Sequence, residues 1–479
     1  MPTILGANSA SDSYEVANSC RFDDPGGTRL IFTPSGAGSR TTFTFSCWVK
    51  RSVISNRAVL FRTAGNSDST TFEFILHQSN YLMLGLNSFN VFETDMVFRD
   101  PSAWYHIVLA MDSTQGSSDN RTKLYVNGVR NTSFRATNLN SISSNYNFGI
   151  GQSGVGHSMG AGATGGDPLD GYMAEINYVD GTALDSSYFG ETNTNGVWVP
   201  KEPDVSNYGD NGFYLEFKQS GTNQNSSGIG ADTSGKDNHV GITNMASNHQ
   251  TVDTPTNNFC TWNALYKNSG NAAYTPSSIS DGALKLTLQN DSAIIGTMGV
   301  SSGKWYWEYK LAENTADNQD YPIFGFASNS HTSSASNLIG RGTSSGGTSR
   351  GNVGSARVSN AFDDASLSAN DIIGFYLDLD NETLKLYKNG SDWMGSGATN
   401  GLDISSASYA NEPTDGFFYP YTQNNGLSIT GDQANFGNPG FTLSSAVSDA
   451  NGYGNFEYNP TIGGVNYYAL CTKNLAEYG

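Results

Sequence analysis

Cysteine and histidine are scarce in this chain, with four of the first and six of the second among 479 residues. Cys20, Cys47, Cys260 and Cys471 never sit at C-x-x-C spacing, and the histidines form no local pair of metal-ligand spacing, so zinc and dithiol redox chemistry lose their usual signature. A Cys20 to Cys47 bridge is conceivable, but without an export signal the thiols are expected to be free and mostly buried. Positive charge is also short. Twenty-five Lys and Arg face 44 Asp and Glu, a formal charge of -19, and such a surface repels a phosphate backbone or an anionic membrane, so nucleic acid is not an expected partner. The start, Met1-Pro2-Thr3-Ile4, has neither a basic segment nor an apolar stretch of signal-peptide length, and no window is long enough to span a bilayer. Synthesis without a signal peptide and no membrane insertion are the expectations. Helix-length amphipathic segments are missing as well.

What is present is period-two alternation. In Thr41 to Lys50, Phe43, Phe45, Cys47 and Val49 share one face and Trp48 takes the other, as in a strand with one face on a core. The same period recurs in Phe72 to Leu76, Tyr81 to Leu86 and Trp104 to Asp112, and Tyr172 to Tyr178 reads as another strand. With 55 Gly and long Ser/Thr/Asn stretches between such runs, the pattern predicts many short strands joined by polar turns. The hexapeptide Lys-Leu-Tyr-X-Asn-Gly occurs twice, at Lys123 to Gly128 and Lys385 to Gly390. Asn-Gly supplies the two positive-φ residues of a type I′ hairpin, so two parts of the chain are expected to share one antiparallel plan.

The length suits two or three domains. A first strand-rich block covers residues 1–200. Residues 201–262 are dominated by Asn, Ser, Gly, Thr and Asp around one strand, Gly212 to Phe217, and are expected to form an ordered connector partly packed on the first block. A second block, 263–440, runs through Ala283 to Leu288, Gly303 to Glu308, Tyr321 to Ala327, Asp371 to Asp380 and Thr383 to Lys388. Residues 441–479 are expected to be a tail for packing or assembly. Two Gly-rich stretches, Gly149 to Gly171 and Ser328 to Ser359, are expected to be long loops.

The first block, with Phe43 to Val49, Trp104-Tyr105-His106 and Leu124 to Gly128, resembles a laminin-G-like domain of the concanavalin A-like superfamily. The second, with Gly303 to Glu308, Ile373 to Asp378 and Asn435-Phe436-Gly437, resembles a SPRY domain. The implied fold class is all-β: two tandem concanavalin A-like jelly-roll β-sandwiches. The tandem order, with Asp232 to His239 and Thr254 to Phe259 linking the blocks, is similar to virion surface proteins of tailed bacteriophages. That resemblance implies a non-enzymatic structural protein, a tail fibre, head fibre or capsid decoration, displayed on the virion surface. Its implied partners are other virion proteins and a host-surface glycan or protein, and a homo-oligomer is expected. A purely architectural role without receptor binding and a glycan-degrading tail enzyme are the alternatives.

Candidate chemistry is sparse. Gly156-His157-Ser158-Met159-Gly160 matches G-x-S-x-G and Gly160 to Gly165 matches G-x-G-x-x-G, but both need a following helix and none is predicted. Asp378, Asp380 and Glu382 resemble paired hydrolase carboxylates, which must flank a sugar at a defined separation, yet they immediately precede a strand and are read as a hairpin turn. Laminin-G-like domains often hold calcium on hard oxygen ligands, for which Asp112 with Asp119, or Asp232, Asp237 and Asn238, are the candidates; no other cofactor is expected. For ligand binding, aromatic rings stack on sugar faces while polar groups orient hydroxyls. The candidates, in the parts where SPRY domains present binding loops, are Tyr321, Trp393, Tyr409, Tyr419 and Tyr421, with Arg341 and Arg350 in a rare locally basic stretch.

Overall fold

The computed structural model describes residues 14–54, 56–64, 71–86, 89–266, 278–288, 292–312, 323–327, 338–341, 350–353, 356–362, 367–405, 416–423 and 429–479. Two compact units divide the chain, Met1–Asn258 and Phe259–Gly479, and each is a β-sandwich.

In the first unit one sheet runs, from edge to edge, Val129–Asn131, Thr122–Val126, Trp104–Asp112, Thr42–Arg51, Gly171–Asp180, Ser19–Phe22 and Gln250–Thr251, with Phe213–Leu215 also paired to Gly171–Asp180. The facing sheet runs Phe134–Thr137, Phe89–Val97, Tyr81–Leu86, Phe72–Leu76, Ala58–Thr63, His157–Met159, Arg29–Phe32 and Gly241–Thr243. Alternation in Thr42–Arg51 sets the core as expected: Phe43, Phe45, Cys47 and Val49 are all buried in the main cluster. Phe45 stacks on Phe61 at 4.6 Å, an offset aromatic contact that adds to simple burial.

Trp48, on the opposite face, is not exposed. It packs with Val16, Trp104, Tyr172 and Ala174 beneath chain that follows the sandwich, and Val108, Val179, Phe189, Tyr208 and Tyr214 form a neighbouring patch. Residues 181–258 therefore belong to the first unit's fold. A wholly buried ion pair fastens them: Lys50 Nζ lies 2.8 Å from Asp253 Oδ2 and donates to Asn258 Oδ1 at 2.7 Å, while Trp104 Nε1 donates to Asp253 Oδ1. Buried charge is tolerated only when paired and hydrogen-bonded.

The second unit repeats the plan. One sheet runs Ser278–Ser280, Lys285–Leu288, Ile429–Asn435, Lys304–Lys310, Ile372–Asp378, Thr383–Lys388 and Ser391–Asp392; the other runs Ala293–Ile295, Tyr419–Gln423, Ile323–Ala327, Leu338–Arg341, Arg350–Val353 and Ala356–Ser359. Trp307 stands at the centre, stacked on Phe375 at 4.2 Å and on Phe436 at 5.3 Å. Residues 441–479 lie over the outer face of the first of these sheets. There Tyr468–Ala469 pairs in parallel with Lys304–Lys310, and the chain closes in the helix Thr472–Tyr478. The buried Glu308 carboxylate accepts from Tyr306 Oη, Asn435 Nδ2 and the backbone N–H groups of Glu457 and Tyr458. It ties the closing segment to the sheet.

Both Asn-Gly turns take the expected geometry. Asn127 and Gly128 have φ of 46° and 82°, Asn389 and Gly390 of 52° and 76°, and the pairs Val126↔Val129 and Lys388↔Ser391 close the hairpins. The likeness goes further than the hexapeptide. Each turn asparagine exchanges two hydrogen bonds with the first part of the preceding strand: His106 N donates to Asn127 Oδ1 and Ile372 N to Asn389 Oδ1, with the return bonds from Asn127 N to His106 O and Asn389 N to Ile372 O. A ring also covers each turn, since a Cβ on Gly128 would land in Trp198 and one on Gly390 at 2.5 Å from Tyr458 Cδ1. Asn389→Ala, which loses both the left-handed tolerance and the side-chain acceptor, is expected to cost about 2 kcal/mol, measurable as a lowered urea midpoint.

Two loop expectations are corrected. Gly149 to Gly171 contains the strand His157–Met159, buried between Ala58–Thr63 and Arg29–Phe32; Gly160 is needed there because its φ is +84° and a Cβ would enter the Phe22 ring. The stretch Ser328 to Ser359 carries the three strands that extend the second unit's smaller sheet. Its small residues hid the alternation. All four cysteines are buried, and none is joined in a disulfide. Among the described residues no helix is long and apolar enough to cross a membrane.

Candidate functional site

The strand Gly171–Asp180 carries a two-against-one bulge: Ala174 pairs Trp48 and Asn177 pairs Ser46, leaving Glu175 and Ile176 opposite Cys47 alone. Strict alternation would send Glu175 to the core face of Met173. The bulge turns it outward instead, at a φ of 51°, while Met173, Ile176 and Tyr178 remain in the core. Non-glycine residues at such φ are strained, and bulges of this kind re-aim a side chain.

Glu175 becomes the floor of a polar cleft of about 440 Å³ whose walls include Tyr14, Glu202, Tyr208, Tyr214, Glu216 and Lys218. Tyr14 Oη donates to Glu175 Oε2 at 2.9 Å and Tyr214 Oη donates to the same oxygen; the two hydroxyls are themselves 2.9 Å apart. Burial pushes the Glu175 carboxyl up to about 7, against the pull of the two tyrosine donors. Burial and the nearby carboxylate raise both Tyr14 and Tyr214, so these phenols keep their protons. Tyr208 donates to Asn177 Oδ1 at 2.6 Å, and Lys218 pairs with Glu216 at 2.5 Å. The cleft thus offers three phenol rings, a row of carboxylate acceptors and one ammonium donor. Rings with convergent acceptors suit a hydroxyl-rich ligand.

Among the described residues, those expected from sequence to bind ligand are not gathered into one site. Trp393 is only 2 % exposed, packed on Phe362 at 4.8 Å in the main core of the second unit, and Tyr421 is fully buried, with its hydroxyl on Gln423 Oε1, in a separate cluster with Tyr266, Ala293, Ile295, Ile323 and Ala327. Tyr419 is half-buried, its ring against Gly299. Arg341 and Arg350 lie on the adjacent strands Leu338–Arg341 and Arg350–Val353. Tyr321 and Tyr409 lie outside the described residues.

Most of the polar atoms of the calcium candidates are taken up by hydrogen bonds within the protein. Asp232 accepts from the backbone N–H groups of Tyr214, Ser234 and Asn238 and from the Ser234 hydroxyl, so both its oxygens organise a turn. Asn238 spends its amide on Asp210 O and Gly212 O, and Asp237 is exposed beside it. Asp112 accepts from Thr42, Thr114 and Gln115, while Asp119 presents its backbone oxygen to Arg130. Among the described residues no three His, Cys, Asp or Glu side chains group as metal ligands.

The acidic turn is likewise occupied. Lys304 Nζ donates to Asp378 Oδ1 at 2.6 Å and Asp380 Oδ2 at 2.9 Å. Burial pushes the Asp378 carboxyl up, but the Lys304 ammonium and the Asn381 donors outweigh it and hold it below the usual carboxylate range. His157 and Ser158 of the G-x-S-x-G match sit inside a sheet, with His157 Nε2 accepting from Gly151 N and Ser158 Oγ on Arg62 O. Burial lowers His157 to about 4.

A laminin-G family model described as the concanavalin A-like lectin/glucanases superfamily matches residues 25–187, and that part of the chain is a concanavalin A-like domain. Similar solved structures include a proposed carbohydrate-binding protein from Bacteroides ovatus (16 % identity, TM-score 0.30, 48 % of this chain and 60 % of that one). The SPRY domain of human HERC1 is another (16 %, 0.23, 32 % and 87 %), as are domains LG4-5 of the mouse laminin alpha1 chain (10 %, 0.28, 89 % and 90 %). The chain thus spans 60 % of the length of the first of these. No curated protein matches it.

Proposed function

We propose that this chain is a non-enzymatic adhesion protein of a tailed-bacteriophage virion, and that its first sandwich holds host-surface glycan in the cleft floored by Glu175. The observation that carries the reading is the bulge: a strained, buried carboxylate is turned out of the core into a cleft of tyrosines and glutamates. The laminin-G match over residues 25–187 supports a lectin-like sandwich, and the similarity of the tandem order to virion surface proteins supports the particle. Neighbouring virion proteins and further copies of the chain are its structural partners in this reading. Of the carboxylates that resemble a hydrolase pair in sequence, Asp378 and Asp380 are engaged with Lys304, which favours binding over cleavage at that turn.

Titration of the purified full chain with isolated bacterial envelope polysaccharides tests it. At least one should bind, and Glu202→Gln combined with Glu216→Gln should weaken that binding about tenfold or more, the scale of lost hydrogen bonds to charged acceptors. Binding of no polysaccharide, or release of reducing ends from one, would count against the reading.

A further inference from the structure

We propose that Lys50 and Asn258 join in an isopeptide bond, formed by the folded chain itself with Asp253 as the acid–base catalyst. Lys50 lies on the strand Thr42–Arg51 of the first unit, and the other two residues follow the edge strand Gln250–Thr251. A tight turn sets them side by side. Thr254 and Asn257 exchange backbone hydrogen bonds of 3.1 Å in both directions, so Asp253 and Asn258 flank a closed pair. The turn is itself tied down, since Thr256 Oγ1 accepts from Val16 N and donates to Val16 O.

The groups needed for an amide exchange meet there. Lys50 Nζ is 2.8 Å from Asp253 Oδ2 and 2.7 Å from Asn258 Oδ1. The carboxamide carbon is then at most about 3.9 Å from the amine, one C=O length beyond the oxygen. Each partner is held from its far side: Trp104 Nε1 donates to Asp253 Oδ1 at 3.2 Å and Asn258 Nδ2 donates to Ser102 O at 2.6 Å. All three side chains are buried, and the Lys50 ammonium lies 5.5 Å from the centre of the Tyr172 ring. Bulk water is shut out of such a place, and fixed contact replaces chance encounter between amine and amide.

The bonding change balances without an added reagent. The Lys50 ammonium gives one proton to the Asp253 carboxylate, and the neutral amine attacks Asn258 Cγ. A C–N bond forms while the Asp253 carboxyl donates to the oxygen that takes up negative charge. Asp253 then passes a second proton from Nζ to Nδ2, the Cγ–Nδ2 bond breaks, and ammonia leaves. Asp253 ends protonated, so two buried charges are gone, which removes their desolvation cost. The bond closes across 208 positions and restricts the unfolded chain far more than the folded one, as a disulfide does. Before closure the three groups are the ion pair described above, and a freshly folded chain has the stability of that pair.

Intact-mass spectrometry of the purified, incubated full chain tests the proposal. Its mass should fall about 17 Da below the sequence value, the loss of one ammonia, and proteolysis should release a branched peptide joining Lys50 to Asn258. Asn258→Ala retains the Lys50–Asp253 pair and should keep the full sequence mass. Asp253→Asn, similar in volume but unable to take the proton, should keep it too, and both variants should melt below the cross-linked chain. An unchanged mass in the folded wild-type chain would overturn the proposal. So would a loss of about 18 Da, which marks Lys50 joined to Asp253 with release of water, or an ammonia loss mapped to a succinimide at Asn127 or Asn389 with no branched peptide. A complete cross-link in Asp253→Asn would overturn the role given to Asp253.

Discussion

Asp253→Ala is expected to destabilise the first unit by about 3–5 kcal/mol, because it leaves the Lys50 ammonium buried without its carboxylate partner. Both side chains of the pair are 0 % exposed, so water cannot replace the lost carboxylate. The prediction has a second half. Replacing both partners by apolar residues of similar volume, Lys50→Met with Asp253→Leu, should restore most of the loss or exceed wild type, since two desolvation costs vanish together. Urea unfolding of the single and double variants gives the comparison. A single variant within 1 kcal/mol of wild type, on the scale of an exposed pair, would mean that residues 250–258 are not fastened to the sheet in the way described.

Glu308→Ala should have a comparable effect in the second unit. Four donors converge on this carboxylate, two of them backbone N–H groups of the closing segment, and a buried donor left unsatisfied costs roughly 1–3 kcal/mol. A loss of about 3 kcal/mol or more is expected. The pH dependence supplies an independent readout. Burial raises Glu308 from 4.5 to about 7 against the pull of its donors, so the folded state holds its proton more tightly than the unfolded one. The stability linked to this group is then fully present below pH 4.5 and is lost as pH rises through 7, a decline of about 3 kcal/mol. Thermal unfolding at pH 4.5 and 7.5 should show a smaller decline in Glu308→Ala than in wild type. Parallel pH profiles would contradict the assignment.

The fold was legible because its determinants are local. Phe43, Phe45, Cys47 and Val49 announce their shared face within one strand, and Asn127-Gly128 and Asn389-Gly390 carry the turn geometry in two residues. Two loops were misread where glycine and serine replaced the apolar alternation that marks a strand, at His157–Met159 and at Leu338–Arg341 with its two neighbours. The site was not legible, for the opposite reason. Tyr14 meets Glu175 across 161 positions and Tyr214 across 200, and Lys50 meets Asp253 across 203; no window of sequence contains such a pair. Alternation did not flag Glu175 either: strict period two over Tyr172 to Tyr178 groups Tyr172, Ala174, Ile176 and Tyr178 on one face and puts Glu175 with Met173 and Asn177 on the other, so the bulge that re-aims it leaves no mark in the sequence. Trp393 and Tyr421 were offered as ligand residues on their place in loop-rich sequence, whereas large rings in a sandwich of this size serve mainly to fill it.

A crystal structure of the full chain soaked with a fragment of a polysaccharide it binds tests the adhesion account most directly. The account predicts a sugar ring in the Glu175 cleft, against Tyr14 or Tyr208 and within hydrogen-bond distance of Glu202 or Glu216. Sugar bound elsewhere with that cleft filled only by water would contradict it.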